Sequence, residues 1–340
     1  MFAPFKTFTS LETHHCVTGS MRHIYTFYDH PMSEEMLFGL GEGTGYIYWH
    51  QKGQPPFIGG RATPEPSLEE VTGQRTGVKI TAYATSSARK AKAALLDFLE
   101  AGTPVMLQVD MGFLPYFDFG EEYHFGGHLI VACGYDKDNG TVLIADRDIE
   151  LHPVSLEALA RARGSTYKPF PPKNRWYTFD FADKRQPTSQ EIFTAIRNQA
   201  VGMLHPPISN MGVKGIRKTA KRLPEWRNSL DESELRFALF NAYIFIQIGG
   251  TGGGAFRYMF SRFLNEAAEV TDCSPLLNLA QDFHHIGNRW AELADWFYKA
   301  SESPAPEEHL DEAVQPLHEI AALEESAWID LMTLTDNEKR

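Results

Sequence analysis

The apolar positions of this chain follow two regimes, and the change between them falls near residue 185. In the first regime helical and strand spacings alternate. Val17, Met21, Ile24, Tyr25 and Tyr28 recur at the interval of a helix that begins at Cys16, and Pro31 stops it. Ser33, followed by Glu34 and Glu35, predicts the cap of a short helix reaching Leu40. The run from Gly39 to Gly45, with glycine at every second position, then turns into the aromatic strand Tyr46–Trp49. Val78–Tyr83 alternates as a strand. Ala88–Glu100 predicts a helix capped by Ser86 or Ser87 and ended by Gly102. Three further strands follow at Pro104–Val109, Leu129–Tyr135 and Thr141–Ala145, and the turn residues Asp136–Gly140 make the last two an antiparallel hairpin.

In the second regime the strand signal fades and helical periods lengthen. Helices or helix pairs are predicted at Ser189–Leu204, Lys214–Leu223, Glu232–Ile248, Ala255–Val270, Pro275–Ala300 and Pro306–Met332. The expected class is α+β. Residues 1–185 form one domain, a helix packed on an antiparallel sheet, and residues 186–340 form an all-α domain.

Composition narrows the function classes. With 340 residues, 43% hydrophobic and 22% charged, the chain is that of a globular protein of about two domains. No run approaches the roughly 18 apolar residues of a membrane span, and the N-terminus lacks the pattern of a secretion signal. Three scattered cysteines, Cys16, Cys133 and Cys273, form neither a disulfide framework nor a metal pair, which predicts a cytoplasmic protein. A formal net charge of −12 argues against a nucleic-acid binder and suits a cationic small substrate such as an amine.

The candidate chemistry starts at Cys16. A thiol becomes a strong nucleophile when a helix N-terminus and an imidazole favour the thiolate, and Cys16 is predicted in the first turn of its helix. His128 follows Gly126 and Gly127 at the opening of a strand. Asp146 ends the next strand, so antiparallel pairing returns it beside His128, where it can orient the ring. Each residue alone has a commoner structural use: a small buried cysteine, a turn histidine, a turn-capping aspartate. The three together, in this order, predict a Cys16–His128–Asp146 site for thiol acyl transfer.

The runs His15-Cys16, Ser33-Glu34, Leu37 to Gly43, Tyr48-Trp49 and Ile58 to Arg61 resemble the butirosin biosynthesis protein H N-terminal family. So do Leu114-Pro115-Tyr116, His124 to His128, Gly134 to Asp136 and Asp146-Arg147. Gly250 to Gly254 with Arg257, ahead of Phe263-Leu264, resembles the helical domain that commonly follows. This resemblance implies a papain-like fold and an acyltransferase of secondary-metabolite biosynthesis. The family's namesake moves an aminoacyl group from a carrier-protein thioester to an aminoglycoside amine. By position the resemblance implies Cys16 as nucleophile, His128 as base and Asp146 as orienter. Glu34, Tyr116, His15 and Arg257 are the expected substrate contacts. Papain-like proteases carry a glutamine a few residues before the cysteine as an oxyanion donor; here Phe8 to His15 contains none. The Cys16 N–H is then the expected donor, with His15, His14 or Thr13 as side-chain help.

Several features have two readings. Glu34 can meet an acceptor ammonium, or serve its helix as a first-turn acid. The loop Gly249–Gly254 ahead of Arg257 can cradle a phosphate or carboxylate, or be a close turn between helices. Lys214, Arg217, Lys218, Lys221 and Arg222 form one basic helical stripe, either a dock for an acidic acyl-carrier protein or a solvated face. No metal or cofactor is predicted, because Gly126 and Gly127 break any helix that would align His124 with His128. The expected activity is acyl transfer from a thioester to a small amine. The alternatives are an amidase or peptidase using the same triad, and a non-catalytic binding protein. Neither nucleic acid nor membrane is an expected partner, and the helical half leaves room for a homodimer.

Overall fold

The computed structural model describes residues 3–51, 53–61, 66–118 and 123–337. In chain order its elements are α1 (Cys16–Phe27), α2 (Glu34–Leu40), β1 (Ile47–Trp49), β2 (Phe57–Gly59), α3 (Leu68–Thr76), β3 (Lys79–Tyr83), α4 (Ala88–Glu100), β4 (Val105–Val109), β5 (His128–Asp136), β6 (Thr141–Ala145), β7 (Leu151–Ser155), α5 (Leu156–Gly164) and β8 (Trp176–Asp180). Helices follow: α6 (Ser189–Leu204), α7 (Gly212–Arg222), α8 (Trp226–Ser229), α9 (Glu232–Tyr243), α10 (Arg257–Thr271), α11 (Pro275–Glu302), α12 (Pro306–His309) and α13 (Val314–Asn337). The class is α+β, as the spacing predicts. Among the described residues no helix is long and apolar enough to cross a membrane.

The chain forms two compact units, and they interleave. The first comprises residues 1–37 and 72–186; the second comprises 38–71 and 187–340. Residues 38–71, which the hydrophobic pattern groups with the first domain, thus pack in the helical unit.

The first unit is built on a six-stranded antiparallel sheet in the order β3-β8-β4-β5-β6-β7. Its predicted hairpin is present: Tyr135 pairs with Val142 and Asp136 with Thr141. All five residues of β4 are buried, so this central strand is covered on both faces. Leu95 and Leu99 of α4 and Leu159 and Ala162 of α5 pack with Leu107, Ile130, Val142 and Ile144 of the sheet. Helix α1 packs against β4 and β5. The local signals act as read: the Ser87 hydroxyl accepts from the Lys90 N–H (3.3 Å), and the Ser33 hydroxyl accepts from the Met36 N–H (2.9 Å). The edge strand β7 gave no readable alternation, because Pro153 interrupts it and only Val154 is buried.

In the second unit β1 and β2 pair as a short ribbon. The Tyr48 N–H donates to the Asn210 carbonyl (2.8 Å). A methyl group on Gly39 would lie 2.2 Å from the Phe263 ring, and one on Gly60 would lie 2.7 Å from the Ala255 carbonyl oxygen. These glycines admit a close neighbour from the helical segment, so residues 38–71 cannot be read from the sequence around them alone.

Candidate active site

Cys16 is the first residue of α1, preceded by His15 in an extended conformation. It has no intrahelical acceptor for its N–H, because the first N–H groups of a helix lack one. His15 and His14 are held differently: their N–H groups donate to the two carboxylate oxygens of Glu34, at 2.6 and 2.9 Å. The Thr18 hydroxyl also donates to Glu34 (3.3 Å). Glu34 is 1% exposed and both its oxygens accept from the segment beside Cys16, so it braces the turn leading into the cysteine. Burial pushes its carboxyl up, against the pull of the two backbone N–H groups.

His128 opens β5 opposite Val109 of β4, and Asp146 follows the last residue of β6. Because Val131 pairs with Ala145, the strand end carrying Asp146 returns beside the strand start carrying His128. The His128 Nε2 lies 2.7 Å from Asp146 Oδ2. The Tyr116 hydroxyl donates to that same oxygen (2.9 Å), and the Tyr116 ring stacks on His152 with centroids 4.0 Å apart. Phe117 meets the His128 ring edge-on at 5.9 Å. The Cys16 thiol and the His128 imidazole act on each other's ionisation. Since Nε2 is engaged by Asp146, the other ring nitrogen is the one left for the sulfur.

The ionisation of the three groups follows from this arrangement. Burial would raise the Cys16 thiol, but the His128 hydrogen bond and charge, a backbone hydrogen bond with Leu129 and the Arg147 charge together hold it below the usual cysteine value. Burial would lower His128, yet the Asp146 charge and hydrogen bond, with Cys16 behind it, raise it to about 9. Asp146, which burial would raise, is held low by His128, Arg147 and Tyr116. A depressed thiol beside an elevated imidazole favours thiolate and imidazolium. Cys16 is partly exposed, whereas Cys133 is buried and its thiol is pushed up to about 12.

The remaining predicted contacts divide. His15 lies beside the nucleophile but is buried, with its Nδ1 3.0 Å from the Thr18 hydroxyl. Thr13 packs on α1 at Gly19, and its buried hydroxyl has no hydrogen-bond partner. Arg257 is fully buried in the second unit. Its Nε donates to Glu324 (2.6 Å) and its Nη1 to the carbonyls of Gly45 and Ala255 (2.8 and 2.7 Å). These contacts give it a packing role, while its Nη2 has no hydrogen-bond partner among the described residues. The Gly249–Gly254 loop follows the same pattern. The Gly253 N–H donates to the Thr251 hydroxyl and the Gly254 N–H to the Gln247 side chain, so the close-turn reading describes it.

A second histidine–carboxylate pair escaped the sequence reading. The buried Asp110 accepts from the Ser165 hydroxyl (2.5 Å) and from the Phe125 and Gly112 N–H groups, and it lies 3.0 Å from His124 Nδ1. Here the hydroxyl is bonded to the carboxylate instead of the imidazole, and the His124 ring is stacked on Tyr167 at 3.4 Å. This arrangement ties down the loop ahead of β5 and leaves no activated nucleophile. Fifty-five residues separate Asp110 from Ser165, so no local motif announces it. Among the described residues no three His, Cys, Asp or Glu side chains gather as metal ligands.

A helix-start cysteine, a strand-start histidine and a strand-end aspartate lie on a helix-covered antiparallel sheet, and a helical unit follows, in a protein of the α+β class. The chain belongs to the family that joins a butirosin biosynthesis protein H N-terminal domain, matched over residues 15–147, to the domain of unknown function DUF4872, matched over residues 157–331. That membership points to an acyltransferase-like biosynthetic enzyme. No curated protein matches the chain.

Proposed function

We propose that the protein transfers an acyl or aminoacyl group from a thioester to a small amine through an acyl-enzyme on Cys16. The observation that carries this reading is the buried His128, whose Nε2 lies 2.7 Å from Asp146 and whose charge acts on the thiol of Cys16 at the start of α1. The Cys16 thiolate attacks the thioester carbonyl carbon, and the donor thiolate leaves with the proton held by His128. The acceptor amine then attacks the acyl-enzyme and gives its proton to the neutral imidazole, and the Cys16 thiolate departs. The ion pair is thereby restored. The Cys16 N–H, free of any intrahelical acceptor, supplies a donor for the developing oxyanion.

Intact mass spectrometry with an acyl-carrier-protein thioester or its pantetheine analogue tests the reading. An adduct on Cys16, absent from Cys16→Ser and discharged by added amine, is the expected result. Discharge by water alone would make the protein a hydrolase, and absence of any adduct would overturn the enzyme assignment.

A further inference from the structure

The second unit contains a cleft of its own, of ≈ 560 Å³, within the size range of small-molecule sites. Its wall is the basic side of α7. Lys218 and Arg222 are one helical turn apart and so face the same way. Its floor is Tyr48 of β1 and Trp226 at the start of α8, both almost completely buried. Asn210 fixes the geometry: its carbonyl accepts from the Tyr48 N–H, and its amide donates to the Tyr48 carbonyl (3.0 Å).

Three donors in this cleft lack a full complement of acceptors. Among the described residues the Lys218 ammonium donates only to neutral oxygens, Asn210 Oδ1 (2.5 Å) and the Ser209 hydroxyl (3.4 Å), which leaves one of its three protons without an acceptor there. Arg222 bonds Glu225 through one nitrogen, and its other N–H groups have no partner among the described residues. The Tyr48 oxygen accepts from the Trp226 indole N–H (3.2 Å), so the phenolic proton points elsewhere; among the described residues it meets no acceptor. Two cations face one carboxylate, leaving a net positive charge in a chain of net charge −12. A nearly buried hydroxyl with an unused proton beside a half-neutralised pair of cations suits an anion and repels an amine.

We propose that this cleft binds a small organic oxyanion, a phosphate monoester or a carboxylate, held by Lys218, Arg222 and the Tyr48 hydroxyl. The assignment is independent of the chemistry at Cys16. Calorimetric titration of the full chain in a phosphate-free buffer tests it, with phenyl phosphate, benzoate and benzylamine as probes. At least one anion is expected to bind, about tenfold more weakly to Lys218→Gln and severalfold more weakly to Tyr48→Phe. Binding of phenyl phosphate alone assigns a phosphate ligand, binding of benzoate alone a carboxylate, and binding of both a general oxyanion site. Arg222→Gln, at an exposed position, is the third variant should either of the others fail to fold, and it too must weaken binding. No binding of either anion would overturn the proposal. So would affinities unchanged in the folded variants, or benzylamine binding as tightly as the anions.

Discussion

Each unit of this protein buries an acid–base network, and the two networks end differently. In the helical unit Glu324 accepts from Arg257 (2.6 Å), Trp290 (2.9 Å) and Trp328 (2.7 Å). Both its oxygens are filled by groups that neither exchange protons at ordinary pH nor reach solvent, since Arg257, Glu324 and both tryptophans are fully buried. In the sheet unit Asp146 is also buried, but its partner is an imidazole that acts on the ionisation of a thiol. A buried charge is therefore not in itself a sign of a site. The distinguishing feature is a network that includes groups able to exchange a proton and form a covalent bond, here an imidazole and a thiol.

That contrast can be broken from either side. The largest effect is expected at Asp146. Asp146→Asn should slow acyl-enzyme formation by about 10³–10⁴-fold while the chain stays folded, because the ring loses its orienting charge. A loss smaller than tenfold in the mass-spectrometric rate would remove Asp146 from the mechanism. In the other network, Glu324→Ala leaves the Arg257 charge buried without its carboxylate and should cost about 3–5 kcal/mol in urea unfolding. Replacing both partners, with Arg257→Met and Glu324→Leu, should recover most of that loss; if the double variant is no more stable than the single, the two residues act separately.

The pH response sharpens the same comparison. His128 has a folded value of about 9, above its ordinary value in the unfolded chain. Its stabilising contribution is therefore complete below about pH 6.5 and lost as pH rises through about 9. The stability gap between the protein and His128→Ala should narrow across that window. Iodoacetamide should label Cys16 at pH 6, and His128→Ala should move the onset of labelling to higher pH, since burial then acts on the thiol with less opposition. Identical labelling profiles would mean that no thiolate–imidazolium pair exists. The smallest effect belongs to Tyr116→Phe, which removes one hydrogen bond to Asp146 and should slow acylation by tenfold or less, about 1 kcal/mol. Any larger loss would give Tyr116 a role in binding substrate.

What the sequence revealed depended on how local the cause was. The α1 start, the Ser33 and Ser87 caps and the β5–β6 hairpin each follow from residues within a few positions of one another, and each is present. Cys16, His128 and Asp146 could be grouped because a hairpin is itself local and returns Asp146 to His128. Glu34 and Arg257 kept two readings each for the opposite reason. A glutamate at a helix start looks the same whether it faces solvent or the N–H groups of His14 and His15. An arginine after a glycine loop looks like an anion site until Glu324, 67 residues later, is known to hold it. The affiliation of residues 38–71 was hidden in the same way, because its determinants are Asn210, Arg257 and Phe263.

The interleaving of the two units bears on how the chain folds as it is made. Once residue 186 has left the ribosome every strand of the large sheet is available, yet residues 38–71 still lack their partners. Asn210 and Arg257 follow their partners Tyr48 and Gly45 by 162 and 212 residues, which at ordinary elongation rates means on the order of ten seconds or more. During that interval an aromatic ribbon containing Tyr46, Tyr48 and Trp49 waits between α2 and α3 without a core, the kind of segment on which chaperones act. A fragment cut to residues 157–331 meets the converse problem: it starts with part of the sheet unit and has no ribbon to complete its helices.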